Sequence, residues 1–127
     1  MIFDTDVLIY YLRGNERARK RLAAASHAER QMSVVTHMEL LAGSRGPLES
    51  RVIDKLAEAQ FSRVHPLDES LSALSLRLIR RFAASHGLRL ADALVAATAL
   101  SRGHRLVTGN PRHFRFIPQL VVEPFKP

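Results

Sequence analysis

Residues 1–12 read MIFDTDVLIYYL, and the fold turns on this stretch. Met1-Ile2-Phe3 is a short apolar run that stops at an acid, Asp4, and a second apolar run begins at Val7. The first run predicts a buried strand ending at Asp4. Thr5 and Asp6 carry the side-chain oxygens that cap a helix predicted over 7–12. A strand that passes directly into a helix is a βα unit. In open α/β sheets ligands bind beyond the carboxyl ends of the strands. A carboxylate is therefore expected at the functional edge of a sheet within four residues of the first.

Working outward, the same alternation repeats. Asn15 caps a helix predicted over 16–25, whose Arg17, Arg19, Lys20 and Arg21 face solvent. Residues 31–35 predict a second strand, with β-branched residues at its end. It runs into Thr36-His37-Met38-Glu39, the T-x-x-E spacing of a capping box, and that helix stops at Gly43. Pro47 opens a helix to residue 60 with Val52, Ile53 and Leu56 as its apolar stripe, and 61–65 is a third, weaker strand. Asp68 caps a helix over 69–85 that sets Leu71, Leu74, Leu78 and Phe82 on one face and ends at Gly87. A helix rich in small residues runs from Leu90 to Gly103. A fourth strand covers 105–108, Gly109-Asn110-Pro111 makes a turn, and 120–122 is a last strand. Strands joined by helical crossovers predict an α/β fold: a central parallel β-sheet flanked by α-helices, with residues 1–127 as one domain.

Composition narrows the class. At 127 residues and 46% hydrophobic content the chain can bury a core and is not disordered. It has no cysteine, which excludes a disulfide framework and a thiolate metal site. No apolar run approaches the roughly 18 residues of a membrane span, and no signal-peptide pattern opens the chain, so a cytoplasmic protein without a membrane partner is expected. Nineteen Lys and Arg oppose twelve Asp and Glu, a formal charge of +7, and sixteen of the nineteen are Arg. The planar guanidinium suits phosphate, which favours a polyanionic partner. A GC-rich genome also enriches Arg and Ala, and composition alone leaves both readings open.

Three acids stand at junctions. Asp4 ends the first strand, Glu39 lies in the first turn after the second, and Asp92 opens the small-residue helix; Asn110 follows the fourth strand. Each has a local reading: Glu39 completes the capping box, Asp92 complements a helix dipole, Asp4 is an N-cap and Asn110 a turn residue. In a parallel sheet all four can converge. Two carboxylates ~4 Å apart repel by about 4 kcal/mol at an effective dielectric of 20. Such a cluster calls for protons or a hard divalent cation, Mg²⁺ or Mn²⁺, and that chemistry leads to phosphodiester hydrolysis.

Taken with SVVTHMELLAG (33–43), LRLADALVAATAL (88–100) and LVTGNPRHF (106–114), the opening stretch resembles the PIN-domain ribonucleases of the VapC toxin type. The resemblance spans nearly the whole chain and implies a PIN-like, Rossmann-like fold. It implies Asp4, Glu39 and Asp92 as metal ligands and catalytic residues, with Asn110 where many relatives carry a fourth acid. It implies that Thr5 and Thr108 orient ligands or water; Asp6 reads as a helix-start acid or as a group supporting the ligands from behind. RNA, often tRNA or a ribosomal RNA loop, is the implied substrate, a VapB-type antitoxin the implied inhibitor, and a homodimer within a larger hetero-oligomer the implied assembly. Arg13, Arg45, Arg89 and Arg112 flank the acidic segments and are candidates for RNA contact. His37 and Glu39 lie two apart on a helix and diverge, and His113 reads as a surface residue, so no histidine is assigned.

Two alternatives remain. Phe3-Asp4-Thr5-Asp6-Val7 imitates the D-x-D-x-[TV] motif of haloacid-dehalogenase phosphatases, but the chain is short for that fold and offers only Lys55 as its mid-chain lysine. A catalytically inactive RNA-binding PIN module is the other. Asn110 supports it, and the three retained acids oppose it.

Overall fold

Strand β1 (Ile2–Phe3) passes into helix α1 (Thr5–Leu12) through Asp4 alone. The computed structural model describes residues 1–127, and this strand lies at the centre of a five-stranded, wholly parallel sheet in the order β3-β2-β1-β4-β5. After α1 come α2 (Glu16–Ala23), β2 (Gln31–Ser33), α3 (Val34–Ala42), α4 (Pro47–Gln60) and β3 (Arg63–His65). Then follow α5 (Glu69–His86), α6 (Leu90–Arg102), β4 (Leu106–Thr108) and β5 (Val122–Pro124). The chain builds outward from β1 through β2 to β3, then returns to the other side of β1 for β4 and β5. The order reverses between β1 and β4, and an open sheet leaves its crevice at that point.

The strands are short, and the central β1, β2 and β4 are largely buried, so their residues alternate between two cores. Ile2 and Leu106 pack with α5 and α6 among Leu71, Leu78, Phe82 and Val95. Phe3 and Val107 pack on the opposite face with Val7, Leu8, Leu22 and Ile53. Small residues let α6 approach the sheet closely: Ala93, Ala96, Ala97 and Ala99 are completely buried.

Several boundaries differ from the sequence reading. The second strand stops at Ser33, whose hydroxyl accepts from Val35 N at 3.1 Å, so Val34 and Val35 are helical despite their β-branching. Ser33, not Thr36, is the cap, and the expected capping box does not form. Asp4 rather than Thr5 or Asp6 caps α1. Helix α2 ends two residues early, at Ala23, and β3 starts only at Arg63. On α4 the buried stripe is Ile53, Leu56 and Ala57, and Val52 is 53% exposed. The last strand lies two residues later than expected. Pro124 is tolerated there because β5 is an edge strand, where a missing N–H costs no ladder bond. No helix is long and apolar enough to cross a membrane.

Candidate active site

The carboxyl ends of β1 and β4 bring Asp4 and Thr108 side by side. Asp4 is buried; its Oδ1 accepts from Thr5 N and its Oδ2 from the Thr108 hydroxyl, both at 2.8 Å. Burial pushes its carboxyl up to about 7, with the neighbouring Asp6 and, more weakly, Asp92 adding to the rise against the two hydrogen bonds. Desolvation disfavours the charged form, and like charges compound it.

Asp6 lies one position past Thr5 in the first turn of α1 and faces the turn after β4. Its Oδ1 accepts from Val7 N at 2.8 Å, and its Oδ2 accepts from Asn110 Nδ2 at 2.9 Å. A Cβ on Gly109 would stand 2.6 Å from that Oδ2, so a glycine is what lets the turn close on the carboxylate. Burial raises the Asp6 pKa and Asp92 contributes, while bonds from the Val7 and Gly109 amides oppose the rise. Asn110 therefore meets Asp6 as a donor, and its own backbone N–H is held by Thr108 Oγ1 at 3.0 Å.

Glu39 reaches the same edge from α3. Its side chain is exposed, and its Oε1 accepts from the Thr5 hydroxyl at 2.6 Å. The buried Thr36 hydroxyl stands 3.1 Å from the same Thr5 oxygen. Thr36 thus belongs to the site, which a reading of it as a cap had hidden. Asp92, in the first turn of α6, is half-buried and accepts no hydrogen bond; His113 Nδ1 lies 3.7 Å from its Oδ2. Burial raises its pKa and Glu39 adds to the rise, against His113 and Arg89. His113 is the surface residue expected from sequence, its side chain 41% exposed, and it also stands beside the acids. The RHF triplet beside Asn110 is the only signal that pointed to it.

The four expected arginines divide into pairs. Arg13 and Arg45 line a groove of about 550 Å³ with Glu39, Leu12, Leu40 and Ile53. Arg89 and Arg112 line a smaller cavity of about 220 Å³ with Asp92 and His113. Lys55 is exposed on α4 and lies outside both of these cavities.

Asp4, Asp6, Glu39 and Asp92 form an all-oxygen set in which three pKa values are raised by burial and by one another. That donor chemistry fits a hard divalent cation. As the side chains stand, no three acidic or imidazole groups are drawn close enough to hold one.

A parallel α/β sheet with carboxylates gathered at its switch point offers hard oxygen donors at the edge where open sheets bind ligands. Comparison gives the family. A family model described as PIN domain matches residues 1–118. Ribonuclease VapC10 of Mycobacterium tuberculosis is 38% identical over 122 residues, covering 94% of this chain and 90% of that protein. Ribonuclease VapC19 of the same species is 36% identical over 124 residues, covering 94% and 95%. Among solved structures, a toxin–antitoxin complex from Klebsiella pneumoniae superposes with a TM-score of 0.80 at 26% identity, over 99% of this chain and 98% of that one. The chain belongs to the PIN-domain family, in its VapC branch.

Proposed function

We propose that this protein is a Mg²⁺- or Mn²⁺-dependent endoribonuclease toxin, acting in the cytoplasm on a structured RNA such as tRNA or a ribosomal RNA loop. Residues 1–127 act as one PIN domain. The protein forms a homodimer, and a VapB-type antitoxin neutralises it in a larger hetero-oligomer, in keeping with the toxin–antitoxin assembly of its structural neighbour. One observation supports the catalytic reading: Asp4 at the end of β1, Asp6 on α1, Glu39 on α3 and Asp92 on α6 stand around the β1/β4 crevice, where burial and neighbouring acids raise the pKa values of Asp4, Asp6 and Asp92.

Asp4, Glu39 and Asp92 would hold the cation. When bound, it supplies Lewis acidity at the phosphoryl group and lowers the pKa of water. Hydrolysis joins the water oxygen to phosphorus, and the ester oxygen leaves with a proton. The chain's own work is positional. Thr108 and the Thr5 amide aim Asp4, the Thr5 hydroxyl aims Glu39, and Asn110 aims Asp6. Arg13, Arg45, Arg89 and Arg112 flank the acids on two sides and suit the RNA backbone.

The test is cleavage of total cellular RNA by purified protein in Mg²⁺, in Mn²⁺ and in EDTA. A few discrete fragments, lost in EDTA, are expected. Absence of cleavage with either metal overturns the enzymatic reading and leaves an RNA-binding module.

A further inference from the structure

Helix α5 carries a groove that the catalytic reading leaves unused. Leu74, Leu78 and Phe82 recur on one face of α5, and with Leu100 in the last turn of α6 they floor a groove of about 480 Å³. It shares no lining residue with the two cavities beside the acids. Leu100 stands about 12 Å along α6 from Asp92, at roughly 1.5 Å per residue. The floor is firmly packed: Leu78 and Phe82 are buried, and the Phe82 ring meets Phe116 edge-on at 5.2 Å. Around it stand Arg77, Arg80 and Arg81, all exposed, and no acid lines the groove. None of the three takes part in the molecule's ion pairs, unlike Arg19, Arg21, Arg102 and Arg105. Arg77 and Arg81 are four residues apart, a spacing at which like charges repel and weaken a helix, and both precede the last turn, where the dipole would favour them. Arg81 lies over the Phe82 ring at 4.9 Å, which holds its guanidinium against the apolar floor. Gln119 also lines the groove, and its φ of 67° is the only positive value outside glycine, a conformation that L residues adopt at a cost.

We propose that this groove docks an acidic segment of a partner protein, one that places a large apolar side chain between carboxylates. Three guanidinium groups without a carboxylate of their own call for an anionic partner, and each can grip a carboxylate through two parallel N–H···O bonds. The floor decides between anions. Leu74, Leu78, Phe82 and Leu100 take a Leu or Phe side chain as an anchor, and they offer a nucleobase edge or a ribose hydroxyl no hydrogen-bonding partner. A volume of about 480 Å³ admits one such side chain with its flanking backbone. The segment binds without metal, because the groove contains none of the acids. A partner that also covers the acids gains avidity from this second hold. The inference does not depend on the ribonuclease reading, and its test contains neither metal nor cleavage.

The probe is a fluorescein-labelled octapeptide of Glu and Asp carrying two leucines, titrated into the full chain in EDTA and followed by anisotropy and NMR. Methyl resonances of Leu74 and Leu100 and the side-chain amide of Gln119 should shift on titration. Arg77→Ala and Arg81→Ala should each weaken binding about fivefold or more, the scale of an anchoring charge in a docked segment. Arg80→Ala should weaken it as well, and leaves the Arg81 contact with Phe82 in place should Arg81→Ala lower the melting temperature. Arg17→Ala, an equal charge change on exposed α2, should alter affinity less than about twofold. Replacing the peptide's leucines by serine should weaken binding about fivefold or more, and replacing its acids by their amides should abolish it. A loss in Arg17→Ala equal to that in Arg77→Ala, unshifted groove resonances, or a leucine-free peptide that binds as well as its parent would each overturn the proposal. A 2′-O-methyl RNA octamer bound more tightly than the peptide and weakened by the same arginine variants would make the groove a nucleic-acid path instead. Self-association in sedimentation that those variants abolish would make it an interface between copies of the chain, and would equally overturn the proposal.

Discussion

Asp4 and Asp92 are both carboxylates of the same site, yet the molecule treats them in opposite ways. Asp4 is 7% exposed and each of its oxygens accepts a bond, from a backbone amide and from a buried hydroxyl that must itself lie at the end of β4. Asp92 is half-buried on a helix start, with no hydrogen bond and a histidine 3.7 Å away. One is fixed by the sheet and the other is free to adjust. The difference shows where a site of this kind keeps its rigidity: in the strand crevice, where two elements far apart in sequence hold one acid between them. Asp6, although also on a helix, is held by the Val7 amide and by Asn110, so among these acids Asp92 is the one with no hydrogen bond to hold it.

The largest effect that would break this contrast is on activity. Asp4→Ala, Glu39→Gln and Asp92→Asn should each reduce RNA cleavage by at least about 10²-fold, the scale of losing a charge-stabilising group. Undiminished cleavage in any of them removes that residue from the catalytic set.

Stability separates the two acids next. The folded protein holds the Asp4 proton up to about pH 7, whereas the unfolded chain releases it near its ordinary value of 3.8. Without metal, stability is therefore lost as pH rises from about 4 to about 7, by as much as about 4 kcal/mol at 1.4 kcal/mol per pH unit. Asp4→Asn should melt close to wild type at pH 3.5 and above it at pH 7.5 in EDTA, with the gap opening between. A constant gap across that range would contradict the burial of a charged Asp4. Asp92→Asn should show a smaller gap, since Asp92 is more exposed.

Thr108→Val tests the brace. It strips a donor from Asp4 and an acceptor from the Asn110 amide, and should cost about 1–3 kcal/mol in chemical denaturation at pH 7. The smallest stability effect expected is from Gly109→Ala, whose methyl would collide with Asp6 Oδ2. A loss of about 1 kcal/mol would follow from displacing the Asp6 carboxylate from its donors. A neutral result there would show that Asp6 swings aside freely and belongs with the adjustable acids.

Much of this was legible in the chain. The strand-acid-helix opening at Met1–Leu12, the Asn15 and Asp68 caps and the Gly87 and Gly103 stops all depend on neighbouring residues, and local pattern reports them. What escaped depends on strand order. Nothing near Thr108 in sequence says that it braces Asp4, and nothing near Asn110 says that its amide faces Asp6 rather than a metal position, because each pair lies 104 residues apart. Thr36 was misread for the opposite reason. Its spacing from Glu39 is locally valid capping chemistry, but Ser33 had already capped the helix, which freed Thr36 to turn inward against Thr5.

The central claim is that carboxylates from separate elements act together on one cation. Isothermal titration of Mn²⁺ into metal-free wild type, Asp4→Asn and Asp92→Asn at pH 7.5 tests it most directly. Wild type should bind, and both variants should lose affinity by about tenfold or more, although one acid is buried between strands and the other stands on a helix. Equal affinity in all three proteins, or a loss confined to Asp4→Asn, would contradict a shared site.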